Sequence, residues 1–356
     1  MGNMFPDKKS LHFSCPPVSI IVAIRNGENA LPNLIRDLET QNNKGEVEFI
    51  LVDDESEDKT CQIIQKIAQK DKRFIYETSM NGSDSLQLKK RAVDAGINKS
   101  RNEWLLFTDV DCRLLPGWIM GMARYFTNDN DYVIGHSDVK MGNSLRNLFQ
   151  SLDYFLLLVA ARGSANLKHP WACTGQNQAY RKSLYQKVGG FSRIKTMIQG
   201  DDSLFMNLCK KLGDAVVVFS DDFQSHVIAR QEKTWISLLK QRLRWSGDAN
   251  IMWKVNMEFY LFIMGFFLLH FTLLILFSIS ILYPFYFTVL VKFLTIKFIL
   301  EFFLYFSGVR QLDKPLYFKE FIIWFFIHIP YVVLMGLGSF FSNRINWRGR
   351  KLHFLI

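Results

Sequence analysis

Leu105-Leu106-Phe107-Thr108-Asp109-Val110-Asp111 is a short apolar run that stops at two carboxylates one residue apart. An apolar run of this length, without alternation, reads as a strand buried on both faces. Side chains alternate along a strand, so Asp109 and Asp111 would converge on one spot if the extended geometry carries on past the strand end. In open α/β sheets, ligands bind beyond the carboxyl ends of the strands. Two convergent carboxylates there suit a hard cation carrying a phosphate ligand. An isolated D-x-D is more often a pair of solvated loop aspartates, so the rest of the chain has to decide.

Outward from this stretch, the chain alternates strand and helix. Residues 19–24 form a β-branched apolar run, and residues 30–41 carry helical spacing at Leu31, Leu34, Ile35 and Leu38. Residues 48–52 read as a second strand ending in Asp53-Asp54-Glu55-Ser56, with Asp58 or Ser56 placed to cap the next helix. Residues 74–77 give a third strand, 86–97 a helix bearing Lys89, Lys90 and Arg91, and 104–108 the fourth strand. A helix over 116–126, a strand over 132–139 and a long apolar helix over 145–161 follow. Such alternation predicts a mostly parallel sheet with right-handed crossovers and flanking helices. Asp53-Asp54 and Asp109/Asp111 both fall at strand carboxyl ends, on one edge of one sheet. Asp201-Asp202 is a further acidic pair, at the mouth of a helix containing Leu204, Phe205 and Leu208. Acids at such a position are ordinarily caps.

The 356 residues are 49% hydrophobic with 32 Phe, unevenly spread. Residues 257–283, uncharged past Glu258, and 321–343, uncharged throughout, each exceed the ~20 residues that span a bilayer. Between them, residues 284–306 carry Lys292, Lys297 and Glu301, and Lys297 and Glu301 are spaced to pair along a helix. Three spans would put the basic tail opposite the catalytic domain, against the positive-inside rule, so the charged middle segment is expected to be interfacial or re-entrant. The domain plan is a tail (1–15), a catalytic domain (16–232), an amphipathic interface helix (233–256), a membrane region of two or three spans (257–343) and a basic tail (344–356). Residues 1–15 lack the apolar core of a signal peptide, and Pro6 stands where a myristoylation signal needs Ser or Thr.

The net charge of +10 is gathered near the apolar segments and around Lys89-Lys90-Arg91. That placement suits a membrane surface and a phosphorylated substrate; the basic stripe with interleaved aromatics of a nucleic-acid binder is missing. Five cysteines without C-x-x-C spacing indicate neither a zinc site nor a disulfide framework. His136 and His226 read as satisfied polar residues, Cys112 and Cys173 as buried apolar ones. Trp171 reads as core packing or as a lining of an acceptor path.

Taken in order, Asp53-Asp54-x-Ser56-x-Asp58, Asp109-Val110-Asp111, Gly200-Asp201-Asp202 and Gln241-Arg242-Leu243-Arg244-Trp245 resemble the D, DxD, (E/D)D and Q(Q/R)xRW signatures of membrane-attached family 2 glycosyltransferases. Cellulose and hyaluronan synthases and ceramide glucosyltransferase are of that kind. The resemblance covers residues 17–245 and implies a GT-A fold, a Rossmann-like mostly parallel sheet followed here by C-terminal transmembrane helices. It implies that Asp53 or Asp54 holds the base and ribose of a nucleotide sugar. Asp109 would contact the ribose or metal region, and Asp111 would ligate Mg2+ or Mn2+. Asp202 would be the general base beside Asp201, and Gln241, Arg244 and Trp245 would face the donor diphosphate and the acceptor. Lys90 occupies the place of a donor-binding lysine, although the family's preceding glycine is Leu88 here, and Gly175-x-Asn177 resembles an acceptor-side loop. The implied activity is inverting, metal-dependent transfer from a nucleotide sugar, UDP-linked, to a lipid or lipid-linked acceptor. An integral inner-membrane protein with a cytoplasmic catalytic domain is expected, with nucleic acid excluded as a partner. A processive polysaccharide synthase, a nucleotidyltransferase and an inactive membrane scaffold are the alternatives.

Overall fold

The computed structural model describes residues 15–344 apart from Lys44 and Ile198, so the basic tail and most of the N-terminal tail lie outside the described residues. The chain runs β1 (Val18–Ile24), α1 (Leu31–Glu39), β2 (Val47–Asp53), α2 (Thr60–Lys70), β3 (Phe74–Thr78), α3 (Leu88–Lys99) and β4 (Trp104–Phe107). Then come β5 (Arg113–Leu114), α4 (Trp118–Ala123), β6 (Tyr132–Ile134), β7 (Ser137–Val139), α5 (Leu145–Asn166), β8 (Gln178–Arg181) and α6 (Lys182–Lys187). The domain closes with α7 (Ser203–Gly213), β9 (Val217–Phe219) and β10 (Val227–Ala229). Seven strands form one sheet in the order β3-β2-β1-β4-β8-β6-β9, and β5-β10-β7 form a second, small sheet.

The first four strands of the large sheet are parallel, as the strand–helix alternation predicts. Alternate residues feed opposite cores. Ile21, Ile50, Leu105 and Phe107 enter one cluster; Ile20, Phe49, Leu51 and Leu106 enter the other. Burial on both faces is why these strands read as continuous apolar runs. β8, over residues not expected to form a strand, lies antiparallel between β4 and β6 in the otherwise mostly parallel sheet. Its sequence, Gln-Ala-Tyr-Arg, has no β-branched residue; the strand is fixed by tertiary packing, with the Tyr180 ring 4.5 Å from that of Phe107.

The single strand expected over 132–139 divides, and its halves enter different sheets. Gly135 sits at the break. A β-carbon there would come within 2.3 Å of the Asn177 side chain, so the two segments can approach only with glycine between them.

The amphipathic helix expected at the interface likewise divides, into α8 (Trp235–Ser246) and α9 (Ala249–Val255), at Gly247-Asp248. Thr234 caps α8 in a reciprocal capping box with Ser237. The apolar C-terminal part folds as α10 (Met257–Leu282), α11 (Phe285–Gln311) and α12 (Phe318–Gly338). α10 and residues 318–341 are long and apolar enough to cross a membrane. The charged middle segment is a continuous helix of 27 residues, and Lys297 and Glu301 form the i,i+4 ion pair. α12 touches the catalytic domain as well as α10: Tyr331 meets Phe149 of α5, and Gly338 abuts Leu243 of α8. At the start of α10, Trp171 stacks on Phe259 and donates to Glu258, so it pins the domain to this helix. Lys314, in the α11–α12 loop, pairs with Asp138 of the small sheet, which also holds His136.

Candidate active site

All the acidic motifs gather at one edge of the large sheet, at the carboxyl ends of β2 and β4 and the N-terminal ends of α3 and α7. β4 ends at Phe107, however, and residues 109–112 form a turn closed by the Cys112 amide on the Asp109 carbonyl (3.1 Å). Asp109 and Asp111 are therefore related by a turn, not by strand alternation, and Val110 between them is buried.

The centre of the site is Lys89. Its ammonium lies 3.0 Å from Asp109 Oδ1 and 2.9 Å from Asp201 Oδ2, tying the DxD turn to the α7 acids. Burial alone would depress this ammonium; the two carboxylates outweigh it and hold it well above the usual lysine range. The same contact keeps Asp201 below the usual carboxylate range despite its burial. Asp202 has no such partner. Burial, and then the Asp201 charge beside it, push its carboxyl up to about 6. Its Oδ1 accepts the Ser203 amide (2.6 Å) at the start of α7, and Oδ2 accepts the Gly175 amide (3.3 Å). One aspartate thus caps the helix while its second oxygen stays in the site.

Gly175 is where the β8 loop touches this group. A methyl there would stand 3.2 Å from Lys89 Nζ, 3.4 Å from Asp201 Oδ2 and 3.6 Å from Asp202 Oδ2. Gly175→Ala is expected to lower turnover about tenfold, through displacement of catalytic groups by a few tenths of an ångström, with the melting temperature nearly unchanged. Steady-state kinetics beside a thermal melt check this; unchanged turnover would place Gly175 outside the reacting centre.

Lys90, expected on the donor side, takes another role. It is 1% exposed, and its ammonium donates to the carbonyls of Met197 and Gln199, anchoring the loop that leads into Asp201-Asp202. Burial lowers it to about 8. The lysine that faces the carboxylates is its neighbour. The reason lies in the start of α3: Leu88 adopts φ +57°, a left-handed conformation that a non-glycine residue enters at a cost of about 1–2 kcal/mol. That is the position where the resemblance implies glycine, and Leu88 is held there with its side chain buried.

Asn177, expected on the acceptor side, is fully buried. It donates to the carbonyls of His136 and Ser225 and accepts from Trp118 Nε1, stitching β8 to both sheets. The hydroxyl of Tyr154 instead reaches this loop, 3.0 Å from both Thr174 Oγ1 and Gln176 Oε1.

Asp53 and Asp54 close β2, both buried. Asp53 Oδ1 accepts the Ser56 amide (3.4 Å). The loops after β1 and β2 interlock: Gly27 donates to Thr60 Oγ1, Glu28 to Asp58 Oδ2, and Arg25 to the carbonyls of Asp54 and Glu55.

Within the QRLRW segment, Gln241 donates to Glu232. Arg242, where the signature takes Gln or Arg, is nearly fully buried, 2.9 Å from Asp153 and stacked 4.2 Å over the Trp245 ring. Arg244 and Trp245 are half-buried, and Trp245 packs beside Tyr154. Asp248, in the break between α8 and α9, joins the site beside Asp202, Lys90 and Asp201; burial first, and then Asp202, push its carboxyl well above the usual range. Its only sequence signal is an acid after glycine just past QRLRW.

The edge thus presents hard oxygen donors in excess of the Lys89 ammonium that bridges two of them and of Lys90 nearby. This donor set fits a Mg2+ or Mn2+ ion held by a diphosphate. A mostly parallel mixed sheet with acids at its carboxyl edge and a DxD turn defines a GT-A type nucleotide-diphosphate fold. Residues 19–189 match the family model for Glycosyl transferase family 2, and they form a domain of that family.

Over 48% of its length, the chain is 25% identical to the undecaprenyl-phosphate 4-deoxy-4-formamido-L-arabinose transferase of Pseudomonas paraeruginosa, spanning 49% of that protein. It is 31% identical over 30% of its length to the 4,4'-diaponeurosporenoate glycosyltransferase of Staphylococcus haemolyticus (28% of that protein). It thus spans half or less of the curated relatives it matches. A mannosyltransferase from Pyrobaculum calidifontis, solved with GDP-Man and Mn2+, superposes with a TM-score of 0.54 at 14% identity, covering 91% of this chain and 87% of its own. That likeness is one of fold.

Proposed function

We propose that the protein is an inverting glycosyltransferase that moves a sugar from a nucleoside-diphosphate donor, UDP-linked, to a hydroxyl of a membrane lipid or lipid-linked glycan. The observation that carries this reading is the Lys89 ammonium shared by Asp109 and Asp201, with Asp202 and Gly175 alongside. It ties the DxD turn to Asp201, the neighbour of the acid that would act as base.

In this reading Asp53 and Asp54 hold the nucleoside. Asp111 and Asp109 hold Mg2+ or Mn2+, which neutralises charge on the departing diphosphate. Asp202 takes the proton of the acceptor hydroxyl as its oxygen attacks the anomeric carbon. The bond to the diphosphate oxygen breaks on the opposite face, the nucleoside diphosphate leaves with the electron pair, and configuration inverts. Arg244 supplies charge to phosphate oxygens and Trp245 an apolar wall for a sugar face.

A hydroxyl acceptor is favoured over a phosphate acceptor because a phosphate already carries a nucleophilic oxygen and needs no base. The contact of α8 with α12 brings the motif helix against apolar helices, which supports an acceptor presented by the membrane; in this reading the face is the cytoplasmic one. The relatives named for undecaprenyl-linked substrates support a lipid-linked acceptor; the choice of a hydroxyl rests on the buried Asp202.

Chelation with EDTA should lower sugar transfer by about 100-fold, and Mn2+ or Mg2+ should restore it. Transfer that persists after chelation removes the metal from the proposal.

A further inference from the structure

Four polar side chains meet in the middle of the apolar helices. His270 lies near the centre of the 26-residue α10, Lys297 and Glu301 near the centre of the 27-residue α11, and His328 at the centre of the 21-residue α12. At 1.5 Å per residue, His270 is about 20 Å from the start of α10, far from the catalytic edge. Ionisable groups at such a depth are costly in lipid and mark a functional site by default.

The arrangement has the form of a ligand set. His270 and His328 are buried, and their rings are 5.2 Å apart. His270 Nδ1 donates to the Phe266 carbonyl (2.7 Å), which leaves Nε2 as a lone pair. Nε2 lies 4.0 Å from Glu301 Oε1, and His328 Nδ1 is 3.8 Å from the same oxygen. All three atoms are buried without a hydrogen-bond partner, and they lie within 4.8 Å of one another. Unpartnered polar atoms in an apolar interior are expensive. Two acceptors facing each other, as His270 Nε2 and Glu301 Oε1 do, gain nothing without a cation between them.

The outer atoms are already fixed. The Phe266 carbonyl orients His270, and Lys297 holds the second oxygen of Glu301 while lying 4.1 Å from the Phe325 ring. Metal-binding imidazoles and carboxylates are oriented by second contacts of this kind. His328 is held by its stack on Trp324, 4.2 Å between centroids.

We propose that His270, Glu301 and His328 form a metal site for one divalent transition-metal ion of the zinc class. Two imidazole nitrogens among three donors disfavour Mg2+ and Ca2+. Ligand distances of about 2.0–2.2 Å require the three donors to close by a few tenths of an ångström. Each helix contributes one ligand, so the ion fastens α10, α11 and α12 together. The site is separate from the DxD site and does not depend on the sugar-transfer reading.

The test uses full-length, tag-free protein in lipid nanodiscs, carrying Asp111→Asn so that metal at the catalytic edge is not counted. After chelation, Co2+ titration should give one ion per chain with the visible absorption of a four-coordinate nitrogen–oxygen site. His270→Ala and His328→Ala should each weaken binding at least tenfold. Absence of Co2+ binding, or binding indifferent to both substitutions, overturns the proposal. Zinc-edge X-ray absorption on the Zn2+-loaded protein needs no change in the membrane helices and covers variants that fail to fold. It should show two imidazole ligands, and a shell without imidazole overturns the proposal equally.

Discussion

Asp202→Asn is expected to lower sugar-transfer turnover by about 10³-fold or more, with donor affinity changed by less than about threefold. Asparagine keeps the size of the side chain and can still cap α7 through the Ser203 amide, but it cannot accept the acceptor's proton. In the unaltered protein, burial and the neighbouring Asp201 charge raise the Asp202 carboxyl to about 6. Turnover should therefore climb as pH rises through about 6 and then level off, and the variant should lose that limb. Stability runs the other way. A carboxyl whose folded pKa lies above its unfolded value favours the fold when protonated, and that contribution is lost as pH rises through about 6. At pH 8 the variant should thus melt at or slightly above the parent temperature, the pattern of an acid kept for chemistry at the expense of stability. A pH–rate profile and a thermal melt on both proteins measure this. Residual activity of a tenth or more in the variant would place the base elsewhere.

Lys89→Met is expected to cost both activity and stability. It removes the one cation shared by Asp109 and Asp201, with ion-pair distances of 3.0 and 2.9 Å, and leaves two partly buried carboxylates facing each other. Breaking such a pair from one side costs on the order of 3 kcal/mol, and turnover should drop by about 10²-fold as the DxD turn and the α7 acids separate. The variant should also need less Mn2+ for half-saturation, since Asp109 loses the ammonium that competes with the metal. Lys90→Met provides the contrast. It loosens the 197–199 loop through the Met197 and Gln199 carbonyls, so stability should suffer more than the metal requirement. Identical metal titrations for the two variants would contradict the distinction drawn between these adjacent lysines.

That distinction marks the limit of what the sequence could tell. The parallel half of the sheet was legible because Val18–Ile24 and Val47–Asp53 are buried on both faces and are apolar but for Ser19, Glu48 and the closing Asp53. The acidic motifs were legible as a set because strand carboxyl ends and a helix N-terminus place them on one edge. Lys89 and Lys90 could not be separated, because which of them faces the site depends on the positive φ at Leu88. Asn177 looked available in a glycine-containing loop, yet it is buried against Trp118, Gly135, His136 and Ser225, contacts distant in sequence. The Arg242–Asp153 pair arises from α8 meeting α5, and Asp248 enters the site from the α8–α9 break beside Asp201, Asp202 and Lys90, contacts distant in sequence.

The central claim is tested most directly by one transfer experiment. Purified full-length protein in nanodiscs is given labelled nucleotide sugars, Mn2+ and hydroxyl-bearing polyprenyl-linked acceptors, with the Asp202→Asn protein in parallel. A labelled lipid product with inverted anomeric configuration, formed by the parent and not by the variant, is the predicted result. Transfer of the nucleotide instead of the sugar, or equal product from both proteins, would contradict it.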